Sequence, residues 1–222
     1  MNGASFILMA RKRTNDKRDR ILQAAVKVFA RSGYFGARVA DIAKKARVAD
    51  GTIYLYFRSK EDILVSLFDE VMAEHIEKGR QELRPVRGVP ARLQVIAEHH
   101  LRLLGGNRDL AVVFQVELRQ STKFMERFTT SWLQNYLAVI SEVIEEGQGN
   151  GTLRADLPRM LVTKAFFGAL DEMVTSWILS KKHYDLTRDA APVVDLFLRG
   201  AAVPRPIDRI RPVLAAVAHR GK

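Results

Sequence analysis

The run Gly51-Thr52-Ile53-Tyr54-Leu55-Tyr56-Phe57 has the side chains best placed to do chemistry. At helical spacing Ile53 and Phe57 share one face at i, i+4 and turn inward. Thr52, Tyr54, Leu55 and Tyr56 are left on the other sides, and Gly51 allows close backbone approach. Hydroxyls of this kind mostly meet phosphates, and a threonine methyl can meet a thymine methyl. That is the chemistry of holding a polyanion, not of breaking bonds.

The constellations that would signal catalysis or metal binding fail on spacing. His99 and His100 are adjacent, so on a helix they diverge by about 100° and cannot easily chelate one ion. Asp171 and Glu172 diverge in the same way, which is poor geometry for paired acid–base work. Gly147-Gln-Gly-Asn-Gly151 follows a helix rather than a strand and lacks Lys-Ser/Thr, so it is an interhelix turn and not a phosphate loop. No metal site and no catalytic residue are expected.

Helices must position the hydroxyl run. Val39 to Ala46 places Ile42, Ala43 and Ala46 on one apolar face, and the two alanines let a second helix cross closely. Arg47-Val48-Ala49 is a tight turn with Val48 as its apolar plug. A second short helix starts near Asp50, an N-cap by residue type, and runs to about Phe57. This is a helix-turn-helix. Before it, Thr14 to Arg31 reads as an amphipathic helix through Ile21, Leu22, Ala25, Val28 and Phe29, ended by Ser32-Gly33. After it, a helix begins at Ser59 or Lys60 with a capping-box pattern, Ser59-x-x-Asp62, and reaches about Leu83, where Arg84-Pro85 ends it. Further helices are expected over Pro90–Leu104, Asp109–Gln120, Phe124–Gly147, Pro158–Lys182 and Asp189–Ala201, with a last amphipathic segment from Ile207 to Ala218. Nothing alternates with period two, so the chain reads as all-α.

The charge is concentrated in one region. The chain of 222 residues carries net +11. Residues 11–60 hold 14 Lys and Arg against 4 Asp and Glu; residues 61–222 hold 22 against 21. This distribution implies a polyanion partner at the N-terminal region. Hydrophobic residues make up 47% of the chain, enough for a sizeable core, and there is no cysteine, which excludes disulfides, Cys-ligated zinc and thiol catalysis and suits a reducing cytoplasm. No apolar run approaches a membrane span. The uncharged stretch Met1–Ala10 is not a signal peptide, because the basic run comes after it, and Met9 is an alternative start. The division expected is a basic arm over 1–13, a three-helix DNA-binding domain over 14–60, and a helical domain over 61–222.

Val39-x-Asp-Ile-Ala, followed by Val48-Ala-x-Gly-Thr-Ile-Tyr-x-Tyr-Phe-x-Ser-Lys60-Glu-Asp-x-Leu, resembles the DNA-binding signature of TetR-family repressors. Two positions depart from the family pattern. Arg38 stands where a capping Thr is usual, and Arg47 stands where a turn Gly is common. The resemblance, taken with the charge, places operator contacts at Arg38, Val39, Lys45, Arg47, Ala49, Asp50, Gly51, Thr52, Tyr54, Tyr56 and Lys60, the last as a phosphate contact. It makes the helical domain over 61–222 the ligand-binding and dimerisation domain, and it implies a homodimer on palindromic double-stranded operator DNA, paired through about 158–182 and 189–201, working in the cytoplasm on the nucleoid. The face Ala165, Gly168, Ala169 and Ser176 would let a partner helix approach closely.

Phe114-Gln-Val-Glu117-Leu-Arg119-Gln-Ser121 and Leu170-Asp-Glu-Met-Val-Thr-Ser-Trp177 further resemble the TetR-type fatty-acid-degradation regulators. That resemblance implies a long-chain acyl-CoA effector and no cofactor. An acyl tail needs a dry tunnel, for which Phe114, Tyr136, Phe166, Phe167, Leu170, Met173 and Trp177 are the candidates. The CoA phosphates need cations, with Arg119 first and Arg102, Arg108 and Lys123 behind it. The alternative is a repressor that senses a hydrophobic or cationic drug-like ligand and controls an efflux gene. It would draw on Glu117, Asp171 and Glu172 as pocket acids.

Overall fold

The computed structural model describes residues 16–117, 119, 132–180 and 184–201. Among these, every regular element is a helix. The chain start, the arm at Arg11–Arg13, Lys123, Phe124, Phe128, Lys182 and the segment from Ile207 lie outside the described residues.

Helix α1 spans Asp16–Gly36 and buries Ile21, Leu22, Ala25 and Phe29. Its regular helical geometry breaks at Gly33, where the sequence predicts a stop. Gly33 adopts φ 69°, ψ 158°, which only glycine takes easily, and one more helical turn comes after the kink. Helix α2 (Val39–Ala46) packs on α1 through Ile42, Ala43 and Ala46, as its spacing requires. The turn then uses Arg47 at φ 58°, ψ 48°. A side chain in that left-handed region costs about 1–2 kcal/mol. The compensation is local. Val48 N–H reaches back to Ala43 O at 3.0 Å, and Arg20 of α1 donates to Ala46 O at 3.0 Å and Arg47 O at 3.3 Å. Arg20 thereby satisfies carbonyls that the end of α2 leaves open.

Helix α3 is shorter than expected. Its regular part is Asp50–Ile53, with Ala49 rather than Asp50 at the N-cap and no side-chain cap, and turns carry the chain on to Phe57. Ile53 and Phe57 are buried at 1% and 2% exposure, so the inward face holds even though the helix is brief.

Helix α4 (Lys60–Leu83) ends as the Arg84-Pro85 pair requires. Ser59 Oγ accepts from Asp62 N at 3.1 Å, and the Asp62 carboxylate accepts from Arg58 N at 2.8 Å, one residue before the usual reciprocal partner. The helix leaves the N-terminal head and enters the body, where α5 (Val89–Gly105) and α7 (Trp132–Gly149) flank it. Between them, α6 (Arg108–Val112) is capped by Asn107 and passes into a π-helical turn, Val113–Glu117. Such turns are rare, and the wider winding shifts the register of the side chains beyond them. The last two helices are α8 (Arg159–Leu179) and α9 (Ala190–Ala201). Asp189 does not cap α9. It closes the short 3-10 turn Leu186–Asp189, and its carboxylate accepts the Tyr184 hydroxyl at 3.1 Å.

Candidate nucleic-acid interface and ligand cavity

The head presents one exposed face built from α2, its turn and α3. Arg38, Lys44, Lys45, Arg47, Ala49, Asp50 and Gly51 are exposed, and Val39 and Thr52 are half-exposed. Tyr54 is 58% exposed and Tyr56 39%. Arg38 does not cap α2 through its side chain; it lies beside Asp41 at 3.4 Å. A Cβ added to Gly51 would touch nothing within 4 Å, so nothing inside the protein demands glycine there.

Lys60 departs from the expected outward reach to a phosphate. Its ammonium instead donates to Tyr34 O at 2.7 Å, Ala37 O at 2.8 Å and Phe35 O at 3.3 Å, and lies 4.6 Å from the centre of the Tyr34 ring. An ammonium has three donors, and these three carbonyls at the end of α1 occupy them. Sequence spacing places Lys60 at the start of a helix, but only the fold brings the end of α1 beside it.

The body encloses a cavity of about 200 Å³. Met72 and His75 of α4, and His100, Leu103 and Leu104 of α5, form one side. Phe114, Gln115 and Arg119 come from the π-helical turn and just beyond it; Leu133, Tyr136, Phe167 and Asp171 complete the wall. Of the residues expected to make a tunnel, Phe114, Tyr136 and Phe167 line this cavity, as does Arg119, which was expected to meet the CoA phosphates. Phe166, Leu170, Met173 and Trp177 do not. On α8, Phe167 and Asp171 are one turn apart and face the cavity, whereas Phe166 is fully buried against Phe197, with ring centres 4.8 Å apart, and Leu170 is fully buried in the core. Met173 packs against that core. Trp177 donates its indole N–H to Tyr184 O at 3.0 Å and lies under the Arg108 guanidinium. A helix apolar on several sides gives no clue to which side is the cavity.

The cavity wall carries a polar network. Asp171 accepts from Gln115 Nε2 at 2.7 Å and from Arg119 Nη2 at 2.6 Å. His100 Nδ1 shares a 3.0 Å hydrogen bond with the Tyr136 hydroxyl. His75 stacks on His99, with ring centres 4.2 Å apart, and the His99 Nε2 sits 2.9 Å from the His75 carbonyl. His99 and His100 thus serve different partners, as adjacent helical residues should. Burial pushes the His100 pKa down to about 4, with Asp171 opposing and His99 adding to the shift. Burial, then His99 and His100, hold His75 well below the ordinary histidine value, and burial raises that of Tyr136. His100 and His75 are therefore neutral at neutral pH.

Glu117, a candidate pocket acid by sequence, is buried at 4% exposure and points away, to the head, where it accepts from Tyr34 N at 2.6 Å. No sequence signal links residues 83 apart, so this contact could not be foreseen.

Residues 21–67 match the model for bacterial regulatory proteins of the tetR family, and residues 68–200 match that for the C-terminal region of YsiA-like proteins. The chain belongs to the TetR family of regulators. Among its relatives, the fatty acid metabolism regulator protein of Bacillus subtilis (strain 168) is 38% identical over 189 residues, which is 85% of this chain and 97% of that protein. Two solved structures share the fold closely. The fatty acid degradation regulator FadR from Bacillus halodurans has a TM-score of 0.77 at 41% identity, covering 82% of this chain and 98% of that one. FadR from Bacillus subtilis in complex with stearoyl-CoA has a TM-score of 0.77 at 38% identity, covering 82% and 97%. As in any TetR-family regulator, the head carries the helix-turn-helix and the body is a helical bundle. No helix among the described residues is long and apolar enough to cross a membrane.

Proposed function

We propose that this TetR-family regulator is a repressor of fatty acid degradation genes that a long-chain acyl-CoA releases from its operator. The observation that carries this reading is the cavity of about 200 Å³ with mostly apolar walls, in a chain 38% identical to a regulator solved with stearoyl-CoA. The head over 14–60 holds DNA, and the body over 61–222 holds the effector and the dimer contact. The open space over Gly51 and the exposed hydroxyls of Tyr54 and Tyr56 support a major-groove contact by α3. So short a helix reads few base pairs, so two heads on a palindrome are required. In one protomer α8 and α9 expose Leu161 (59%), Leu179 (76%) and Leu196 (74%), and a Cβ on Gly168 would meet nothing. Such a face supports pairing of these two helices with their copies. A DNA-bound working place on the nucleoid in the cytoplasm goes with this reading.

A cationic drug as effector finds little support. Glu117 is turned to the head, Asp171 is taken by Arg119 and Gln115, and Glu172 is exposed beside Ser176.

The test is fluorescence anisotropy with a labelled duplex from the promoter beside the protein's own gene. Binding should be salt-dependent and reversed by stearoyl-CoA, because the effector must favour the DNA-incompetent state to shift it. Operator affinity unchanged at saturating stearoyl-CoA would overturn the proposal.

A further inference from the structure

One side chain on the exposed face of the head has no polar group with which to hold a phosphate. Leu55 is 81% exposed, more than any other large apolar side chain among the described residues. Its apolar neighbours in the motif are accommodated inside the head. Ile42, Ile53 and Phe57 are buried, and Val39 and Val48 pack against the core. Phe35 lies edge-on to the Tyr34 ring, with centres 5.3 Å apart. The exposed leucines of the body, Leu161, Leu179 and Leu196, lie on α8 and α9, the helices proposed to pair with their copies. Leu55 is left pointing at solvent with none of these roles.

Its place on the element is specific. Leu55 stands midway between Ile53 and Phe57, the two inward residues. The chain stays wound through it: Leu55 N–H donates to Thr52 O at 3.2 Å, and Phe57 N–H to Ile53 O at 3.0 Å. At about 100° per residue, Leu55 is turned about 160° from both inward side chains. Tyr54 and Tyr56 lie about 100° to either side of it, and Gly51 and Thr52 within about 60°. Gly51, Thr52 and Leu55 therefore form the crest of the face, and the two tyrosines are its flanks.

The charge around the crest is positive. Exposed Arg38, Lys44, Lys45, Arg47 and Arg58 outnumber the acids Asp41 and Asp50. An apolar crest ringed by cations fits a surface that is anionic along its edges and apolar at a spot on its floor. The major groove is such a surface. Phosphates run along its edges, and the thymine C5-methyl is the apolar group that its base edges present. A leucine has neither donor nor acceptor, so the methyl is the feature of a base edge that it recognises.

We propose that Leu55 packs on a thymine C5-methyl in the major groove and so fixes a T·A pair at one position of each operator half-site. This rests on the DNA-binding reading of the head and adds a base-specific contact to it. Tyr54 and Tyr56, on the flanks, hold phosphates and set the depth at which the crest enters the groove.

The test uses the full chain. An operator is selected from a random duplex library, and each thymine of one half-site is replaced in turn by deoxyuridine, which removes the methyl and keeps every hydrogen-bonding group. One such replacement should weaken wild-type binding by about three- to ten-fold. Leu55→Ala should bind the thymine duplex more weakly by a similar factor, and should not distinguish thymine from deoxyuridine at that position. Its melting temperature should match the wild type, because the side chain is exposed. Leu55→Met, apolar and of similar volume, should keep the distinction. A half-site without thymine, a wild type indifferent to deoxyuridine at every position, or a Leu55→Ala variant that keeps the full methyl effect would each overturn the inference. So would loss of the methyl effect in Thr52→Ala alone. If no duplex is selected, the DNA-binding reading itself fails. If one is selected and its methyl effect does not depend on Leu55, only the role of Leu55 fails.

Discussion

The buried carboxylate of Glu117 accepts the backbone N–H of Tyr34 at 2.6 Å, joining the helical body to the helix-turn-helix head. Both ends of this bond are built into functional parts. Glu117 closes the π-helical turn whose Phe114 and Gln115 line the cavity. Tyr34 lies just beyond the Gly33 kink, and its own carbonyl is held by Lys60 at the start of α4. A shift of the cavity wall therefore has a direct hydrogen-bonded route to the head.

Glu117→Gln retains an acceptor and should preserve fold and response. Glu117→Ala leaves the Tyr34 N–H unsatisfied and should lower stability by ~1.5–3 kcal/mol. It should also uncouple the sites, so that stearoyl-CoA still binds but shifts operator affinity far less than in the wild type. Ligand titration beside operator anisotropy separates these effects. Full release of operator by the alanine variant would remove the bond from the coupling route.

Tyr54 and Lys60 should behave differently although they are close in sequence. Tyr54 is exposed, so Tyr54→Ala should weaken operator binding by about 1–3 kcal/mol and change stability by less than ~0.5 kcal/mol. Lys60→Ala removes the donor for three carbonyls at the end of α1. It should cost stability, on the order of 1–3 kcal/mol, and lose operator affinity as a consequence. Thermal melts alongside anisotropy distinguish a contact from a structural tie.

The cavity makes an asymmetric prediction about two aromatic residues. Phe167→Ala enlarges the space and should favour bulkier or longer effectors at moderate cost in stability. Trp177→Ala, outside the cavity, should cost ~3–5 kcal/mol and leave the affinity of the folded protein for stearoyl-CoA unchanged. A reversal of that pattern in melts and titrations would place the tunnel on the other side of α8.

Acid should destabilise the body through its histidines. In the unfolded chain a histidine takes up its proton near its ordinary value of about 6.5, whereas His100 in the fold does so at about 4, and His75 is displaced in the same direction. Between those values the unfolded chain binds more protons. The contribution is therefore fully present above about 6.5 and is lost as pH falls through this window, by about 1.4 kcal/mol per unit for each such group. Below about 4 the loss due to His100 ends. Urea unfolding from pH 7 to 4 should show the slope, and His100→Phe should make it shallower.

The head was legible because its information is local. Ile42, Ala43 and Ala46, then Ile53 and Phe57, carry helical spacing in their identities, and burial matches that spacing. The concentration of basic residues in 11–60 is likewise countable without coordinates. Chain-local signals also specify the Ser59 cap, the stop at Leu83 and the divergence of His99 from His100.

Tertiary structure decided everything that depends on which distant groups meet. The length of α3, the inward turn of Lys60 and the capping of α2 by Arg20 arise where separate helices cross. On α8 composition could not choose between Phe166 and Phe167, because both are apolar and adjacent, and a rotation of about 100° puts one in the core and the other on the cavity. Arg119 reads as a free cation until Asp171, 52 residues away, is brought beside it. Periodicity records which side of a helix is buried; only packing records what it is buried against.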